Sequence, residues 1–295
     1  LVFGSELKTL TAWPGFRRDI DDEAVEDYFA YGYVPEPRTI YKTAHKLPPG
    51  YRVLIRRGQP VPAPEQYWDV PFAPLPAMSI EDAQAEFVER FREAVRIRMV
   101  AEVPLGAFLS GGVDSSAVVA MMAGLADQPV KTCAIGFTDP RYNEIEYARQ
   151  VADRYHTDHR VHTVESDDIS LVDELARLYD EPYADSSAMP TYRVCELARR
   201  DVTVALSGDG GDENFVGYRR YRWHGIEEKM RRMLPDGLRM PLFGALGRWY
   251  PKADWAPRVF RAKTTFEALG RDTVAGYLHG VSVCSDPLRD RMFSP

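Results

Sequence analysis

Two stretches of this chain place serines, glycines and acids where an apolar run stops. Leu105 to Ser116 reads LGAFLSGGVDSS, and Val202 to Glu213 reads VTVALSGDGGDE. In the first, Phe108 and Leu109 close a buried strand. Gly111 and Gly112 let the backbone turn and approach a ligand closely, and Asp114 to Ser116 offer N-cap oxygens at a helix start. Backbone N–H groups at that helix start, with the hydroxyls of Ser110, Ser115 and Ser116, suit a phosphate or pyrophosphate. A Walker A loop would carry a lysine here, and none lies nearby. Asp114 is placed to hold magnesium against the phosphate charge, which points to cleavage between the α and β phosphates.

A Gly-Gly pair followed by Asp-Ser also occurs in ordinary strand-to-helix turns, and an acidic turn can simply be solvated. Finding two such strand ends in one chain argues for a shared site. The second sets Asp209, Asp212 and Glu213 among Gly208, Gly210 and Gly211. Three packed carboxylates repel one another, and a magnesium ion bridging phosphates is the expected relief. In an open parallel α/β sheet both motifs would lie outside the carboxyl ends of the strands, at the switch in strand order where ligands bind.

The elements that would position these loops follow from periodicity and caps. A helix is expected from Asp21 to Tyr31, short strands near Tyr51 to Ile55, and loop or linker through the proline-rich Pro60 to Pro76. Ser79 opens a long helix with S-x-x-D, and Phe87, Phe91, Ala94, Val95 and Met99 form its core face. Strands at Leu105–Leu109, Lys131–Phe137, His159–Val164 and Val202–Leu206 then alternate with helices from Asp114, Asn143, Ser170 and Ser187. The pattern predicts an α/β fold, a doubly wound parallel sheet with helices on both faces, followed by a helical C-terminal part. Trp223, Trp249 and Trp255 are expected on packing faces.

Composition sets outer bounds. With 295 residues, 45% of them hydrophobic, the chain can bury a sizeable core. A formal charge of -7 argues against a nucleic-acid platform. No apolar run nears the roughly 20 residues of a spanning helix, so no membrane is expected and the cytoplasm is the simplest location. Cys133, Cys195 and Cys284 are odd in number and far apart, which suits packing rather than a disulfide or metal framework. His156, His159 and His162 do not share one face across a helix-to-strand junction, so they make a poor metal site.

The pair SGGVDSS and SGDGGDE, in this order and separation, resembles the synthetase half of glutamine-dependent asparagine synthetases, members of the PP-loop ATP pyrophosphatases. The likeness extends to YGYVPEPRTIYKTAHKLPPGY (Tyr31 to Tyr51), to CAIGF (Cys133 to Phe137) and to DEPYADSSAMPTY (Asp180 to Tyr192), and covers nearly the whole chain. The resemblance implies an adenine nucleotide alpha hydrolase-like fold with ATP and magnesium as cofactors. It implies that Leu109 and Ile135 meet the adenine, and that Ser110, Gly111, Gly112, Asp114, Ser115 and Ser116 hold pyrophosphate. Ser207 and Gly208 would contact the nucleotide, Asp114 and Asp212 the metal, and Asp209 and Asp212 the metal and the acyl-adenylate. Asp185, Ser186 and Ser187 would lie near the substrate, or merely start a capped helix.

The reaction implied is attack of a small-molecule carboxylate, aspartate first, on the α-phosphorus of ATP, followed by ammonia displacing AMP. Asp209 and Gly210 stand where asparagine-specific members usually carry Glu and Ser, so another amidated carboxylate or a lactam product is the rival reading. A non-catalytic nucleotide-binding module is the second. The expected division is residues 1–70 as the end of a glutaminase domain and its lead-in, 71–78 as linker, 79–225 as synthetase core and 226–295 as an incomplete helical part. A glutaminase domain is the implied ammonia source, a homodimer is compatible with the pattern, and truncation at both ends is expected. Without the family's late lysine, synthesis by this chain is expected to be weak or absent.

Overall fold

The computed structural model describes residues 1–73, 77–137, 144–164, 171–251, 255 and 262–293. In chain order its elements begin with α1 (Leu7–Thr11), α2 (Asp22–Tyr31), β1 (Tyr51–Arg52), β2 (Glu65–Gln66), α3 (Ile80–Arg98), β3 (Leu105–Phe108) and α4 (Val113–Leu125). They continue with β4 (Lys131–Phe137), α5 (Ile145–Tyr155), β5 (Asp158–Val164), α6 (Val172–Leu178), α7 (Ala188–Ala198), β6 (Val204–Leu206) and α8 (Gly211–Phe215). Five helices follow: α9 (Arg219–Met233), α10 (Asp236–Trp249), α11 (Lys263–Leu269), α12 (Thr273–Val281) and α13 (Asp286–Met292). By contact the chain forms two compact units, one of residues 1–69, 176–184 and 216–295, the other of 70–175 and 185–215.

The second unit holds a four-stranded sheet, all parallel, in the order β5-β4-β3-β6. Phe108 pairs with Cys133 on one side of β3, and Leu105 pairs with Val204 on the other. The chain therefore steps outward from β3 to β5 and returns to the opposite side of β3, and this reversal is the switch point. Adjacent residues of β4 face opposite ways, as the pleat requires. Ala134 packs with Leu109, Val119, Met122, Ala148 and Ala152 beneath α4 and α5. Cys133 packs with Leu197, Ala198 and Val202 beneath α7. Helices thus cover both faces, as the alternation predicts.

Local signals hold at several starts. Asp21 accepts from the Glu23 amide at 3.1 Å at the head of α2. Ser79 Oγ accepts from the Asp82 amide at 3.0 Å and donates to its carboxylate at 2.7 Å, a side-chain N-cap ahead of α3. Other expectations fail for identifiable reasons. β2 lies inside the proline-rich stretch, because Glu65 and Gln66 find partners in Arg52 and Tyr51. Cys195 is exposed on α7, whereas Cys133 is buried. Trp223, Trp249 and Trp255 are exposed. Arg239, Phe243 and Gly247 form the buried line of α10, and Trp249 lies two residues, some 200°, off that line. The helix starts expected at Asn143 and Ser170 lie outside the described residues.

Thr132, fully buried on β4, places Oγ1 2.8 Å from Thr157 Oγ1 and 2.9 Å from His159 Nδ1. Burial first, and then the charge of Arg149, hold the His159 pKa below the ordinary histidine value. The unfolded chain therefore binds this proton near pH 6.5 while the folded chain does not. The resulting stability is fully present above that pH and is lost as pH falls toward the folded pKa. Denaturant midpoints measured from about pH 7 to about pH 5 are expected to fall in the parent and to fall less in His159→Asn. Equal slopes in the two proteins would refute this origin.

Candidate active site

The first loop leaves β3 at Leu109, whose amide donates to Cys133 O at 2.9 Å and whose side chain is fully buried. Gly111 then turns with φ +86°, and a Cβ there would lie 2.6 Å from Ala148 N and 2.7 Å from Tyr147 Cβ, at the first turn of α5. α4 begins one residue before the expected Asp114. Its N-cap is Gly112, with no side-chain cap. The serines that were expected to supply N-cap oxygens bond inside the loop instead. Ser115 Oγ lies 3.0 Å from Ser110 Oγ and donates to Gly112 O at 3.2 Å, and Ser116 Oγ donates to Gly112 O at 2.6 Å. Gly112 N in turn donates to Ser110 Oγ at 3.2 Å. Ile135 sits on β4 opposite His162, beyond the last residue of β3.

The second loop follows β6, across the switch point, and meets the first at backbone distance. A Cβ on Gly208 would lie 2.6 Å from Ser115 N and 2.8 Å from Asp114 C, and one on Gly211 would lie 2.6 Å from Asp114 Oδ2. At Gly208 a side chain would press on backbone and push the two loops apart, whereas at Gly211 it would displace the Asp114 carboxylate. Ser207 Oγ donates to Asp209 Oδ2 at 3.0 Å. Asn214 Nδ2 donates to Gly210 O at 2.6 Å, fastening a residue whose φ is +89°. Sequence reading passed over Asn214. Its signal is an amide side chain one helical turn past the glycine run.

The loops share a cavity of about 840 Å³ with α3. Asp114 and Ser207 to Gly211 form one wall, and Phe87, Phe91 and Phe215 belong to the other. The Phe87 ring meets Phe215 edge-on at 5.1 Å and stacks on Phe91 at 5.6 Å. Phe87 was expected in the core. It is exposed to the cavity, while Val95, four residues beyond Phe91, is the buried member of that face.

The expected cluster of Asp209, Asp212 and Glu213 does not assemble. Asp209 and Asp212 are exposed, Asp209 is tied to Ser207, and no group of three or more metal-binding side chains forms among the described residues. Magnesium nevertheless suits the donor chemistry. It keeps much of its water and uses one or two carboxylates plus phosphate oxygens, and the half-buried Asp114 carboxylate beside Gly211 is a donor of that kind. Among the described residues no helix is long and apolar enough to cross a membrane.

Comparison with known proteins bears on the same two loops. The asparagine synthase family profile matches residues 86–282, which include both. The chain belongs to the asparagine synthase family. The glutamine amidotransferase domain profile matches residues 1–68. A Methanocaldococcus jannaschii protein that carries the provisional name asparagine synthetase (glutamine-hydrolysing) 2 is 39% identical over 243 residues, 81% of this chain and 47% of its own length. Asparagine synthetase (glutamine-hydrolysing) 1 of Bacillus subtilis is 32% identical over 249 residues, 82% of this chain and 38% of its own. Amidase chyE of Penicillium rubens is 31% identical over 211 residues, 63% of this chain and 30% of its own. The chain thus spans less than half the length of these relatives.

Proposed function

We propose that this chain carries the ATP-dependent, carboxylate-activating part of a glutamine-dependent asparagine synthetase. The observation that supports this reading most is the contact of Gly208 with the Asp114–Ser115 backbone, which joins two Ser-Gly loops at one switch point. Leu109 and Ile135 face the adenine. Ser110, Gly111, Gly112, Ser115 and Ser116 receive the pyrophosphate, the serines exchanging their loop-internal bonds for phosphate oxygens. Ser207 and Gly208 contact the nucleotide. Asp209 and Asp212 face the activated carboxyl, and Asp114 with Asp212 hold magnesium, which supplies positive charge against the departing pyrophosphate.

In the first step an aspartate carboxylate oxygen bonds to the α-phosphorus and the bond to the bridging oxygen breaks, releasing pyrophosphate. Ammonia then attacks the acyl carbon, AMP leaves with the bonding electrons, and asparagine forms after proton loss. Such a reaction asks the protein for positioning and charge stabilisation rather than a nucleophile. Residues 1–70 are read as belonging to an amidotransferase domain and 79–225 as the synthetase core; the profile matches cover 1–68 and 86–282. A second reading, amidation of another carboxylate, is favoured by Asp209-Gly210, which stand where asparagine-specific members usually carry Glu and Ser.

Single-turnover assays at high protein concentration, with Mg-ATP, ammonium and a carboxylate panel, test this. AMP, pyrophosphate and asparagine formed with aspartate support the first reading, and AMP and pyrophosphate with a different acid support the second. Release of ADP and phosphate, or failure of the folded chain to bind Mg-ATP, overturns both.

A further inference from the structure

The stretch Leu178–Ala184 belongs to the asparagine synthase match, yet its partners come from the amidotransferase match. Lys8 donates from its backbone N to Asp180 Oδ2 at 2.9 Å, and its ammonium lies 3.1 Å from Asp180 Oδ1 and 3.0 Å from Leu178 O. The adjacent Glu181 carboxylate accepts from the Ile40 amide at 2.6 Å through Oε1 and pairs with Lys46 Nζ at 2.6 Å through Oε2. The same Lys46 ammonium donates to Val34 O at 2.6 Å. Ala184 N donates to Gly32 O at 2.8 Å. Val34 and Ile40 are themselves core, with Ala24, so these contacts rest on a packed base.

The two acids are about equally buried, Asp180 at 15% and Glu181 at 16% exposed, but their lysines differ. Lys8 is 43% exposed at its side chain, so its pair with Asp180 is water-screened. Glu181 is 16% exposed and Lys46 28%, both oxygens of Glu181 are occupied, and both bonds are charge-assisted. Removing Lys46 would leave a largely buried carboxylate without its cation, which is far more disruptive than losing a surface pair.

We infer that Lys46 is a positioning residue: through Glu181 it clasps the amidotransferase-matching segment to Leu178–Ala184 and sets the placement of that stretch. This rests in part on the proposed function, because Asp180 also opens the segment that resembles the family's substrate side. The clasp would make the placement of this substrate-side segment depend on residues 1–68.

Hydrogen exchange and steady-state kinetics on the full chain test it, using Lys46→Met, Lys46→Arg and the exchange Lys46→Glu with Glu181→Lys. Lys46→Met is expected to speed exchange over residues 178–184 by about tenfold or more, with the amides of β3 to β6 unchanged. It is expected to raise KM for the acceptor carboxylate by about tenfold while KM for ATP stays within about twofold. Lys46→Arg is expected to restore both; the charge exchange recovers the ion pair but not the bonds to the Ile40 amide and Val34 O, and is expected to restore them in part. Unchanged exchange at 178–184, or acceleration spread evenly over the sheet, would overturn the clasp, as would failure of both rescuing variants. A folded parent that binds no Mg-ATP defeats the proposed function, and the exchange data still decide the clasp.

Discussion

Asp114→Ala is expected to abolish magnesium-dependent ATP binding while the chain stays folded. The Asp114 carboxylate is half-buried, sits at the first turn of α4 and packs against Gly211 of the opposite loop. In the proposed site it is a direct oxygen ligand of the metal. Loss of residues that merely orient a ligand costs about 10- to 100-fold in metal affinity, so loss of a ligand is expected to cost at least about 100-fold here. Stability is expected to shift by only about 1 kcal/mol, because no core packing is removed. Calorimetric titration with ATP, with and without magnesium, reads the first effect and a thermal melt the second. Asp114→Asn separates charge from shape: it keeps the contact with Gly211 and is expected to lose binding nearly as fully. Binding that persists in both variants would remove Asp114 from the metal site.

Much of the second unit was legible because its signals are local and repeated. The strands Lys131–Phe137 and Val204–Leu206 are short apolar runs ended by breakers, and Asp21 and Ser79 are capping residues with their partners two and three positions away. Strand order was legible only in class. That β6 lies beside β3 rather than beside β5 is decided by pairings nearly a hundred residues apart, and no window of sequence carries them.

The site shows the same divide. Residue types and chain order identified both loops, and the fold brings Gly208 and Gly211 onto Asp114 and Ser115. What each side chain does without a ligand was not legible, since it depends on which partner is nearest. Ser115 and Ser116 satisfy Gly112 O and Ser110, and Asp209 turns to Ser207. The tie between Glu181 and Lys46 spans 135 positions and joins stretches matching two different profiles, so neither stretch alone discloses it. Trp223, Trp249 and Trp255 show the converse: large apolar side chains favour burial on average, and helical phase overrides the average at Trp249.

Gly111→Ala and Gly112→Ala are expected to differ sharply although the residues are neighbours. At Gly111 two costs coincide. The left-handed backbone, φ +86°, costs a side-chain-bearing residue about 1–3 kcal/mol. The new Cβ would also press on the backbone amide of Ala148 at 2.6 Å, which cannot rotate away, and overpacking of that kind adds about 1–3 kcal/mol. Against a total stability of about 5–15 kcal/mol, Gly111→Ala is expected to lower the melting temperature markedly and to lose ATP binding with it. Gly112 has φ -66°, and its Cβ would meet only Ser110 Oγ, at 3.3 Å. Gly112→Ala is therefore expected to melt near the parent. Its ATP affinity carries the discrimination: if the bare backbone at Gly112 approaches pyrophosphate, affinity falls by about tenfold in a chain of normal stability. If affinity is retained, the loop's glycines serve the packing of Gly111 on α5 alone, and the phosphate contact must be sought at the serines.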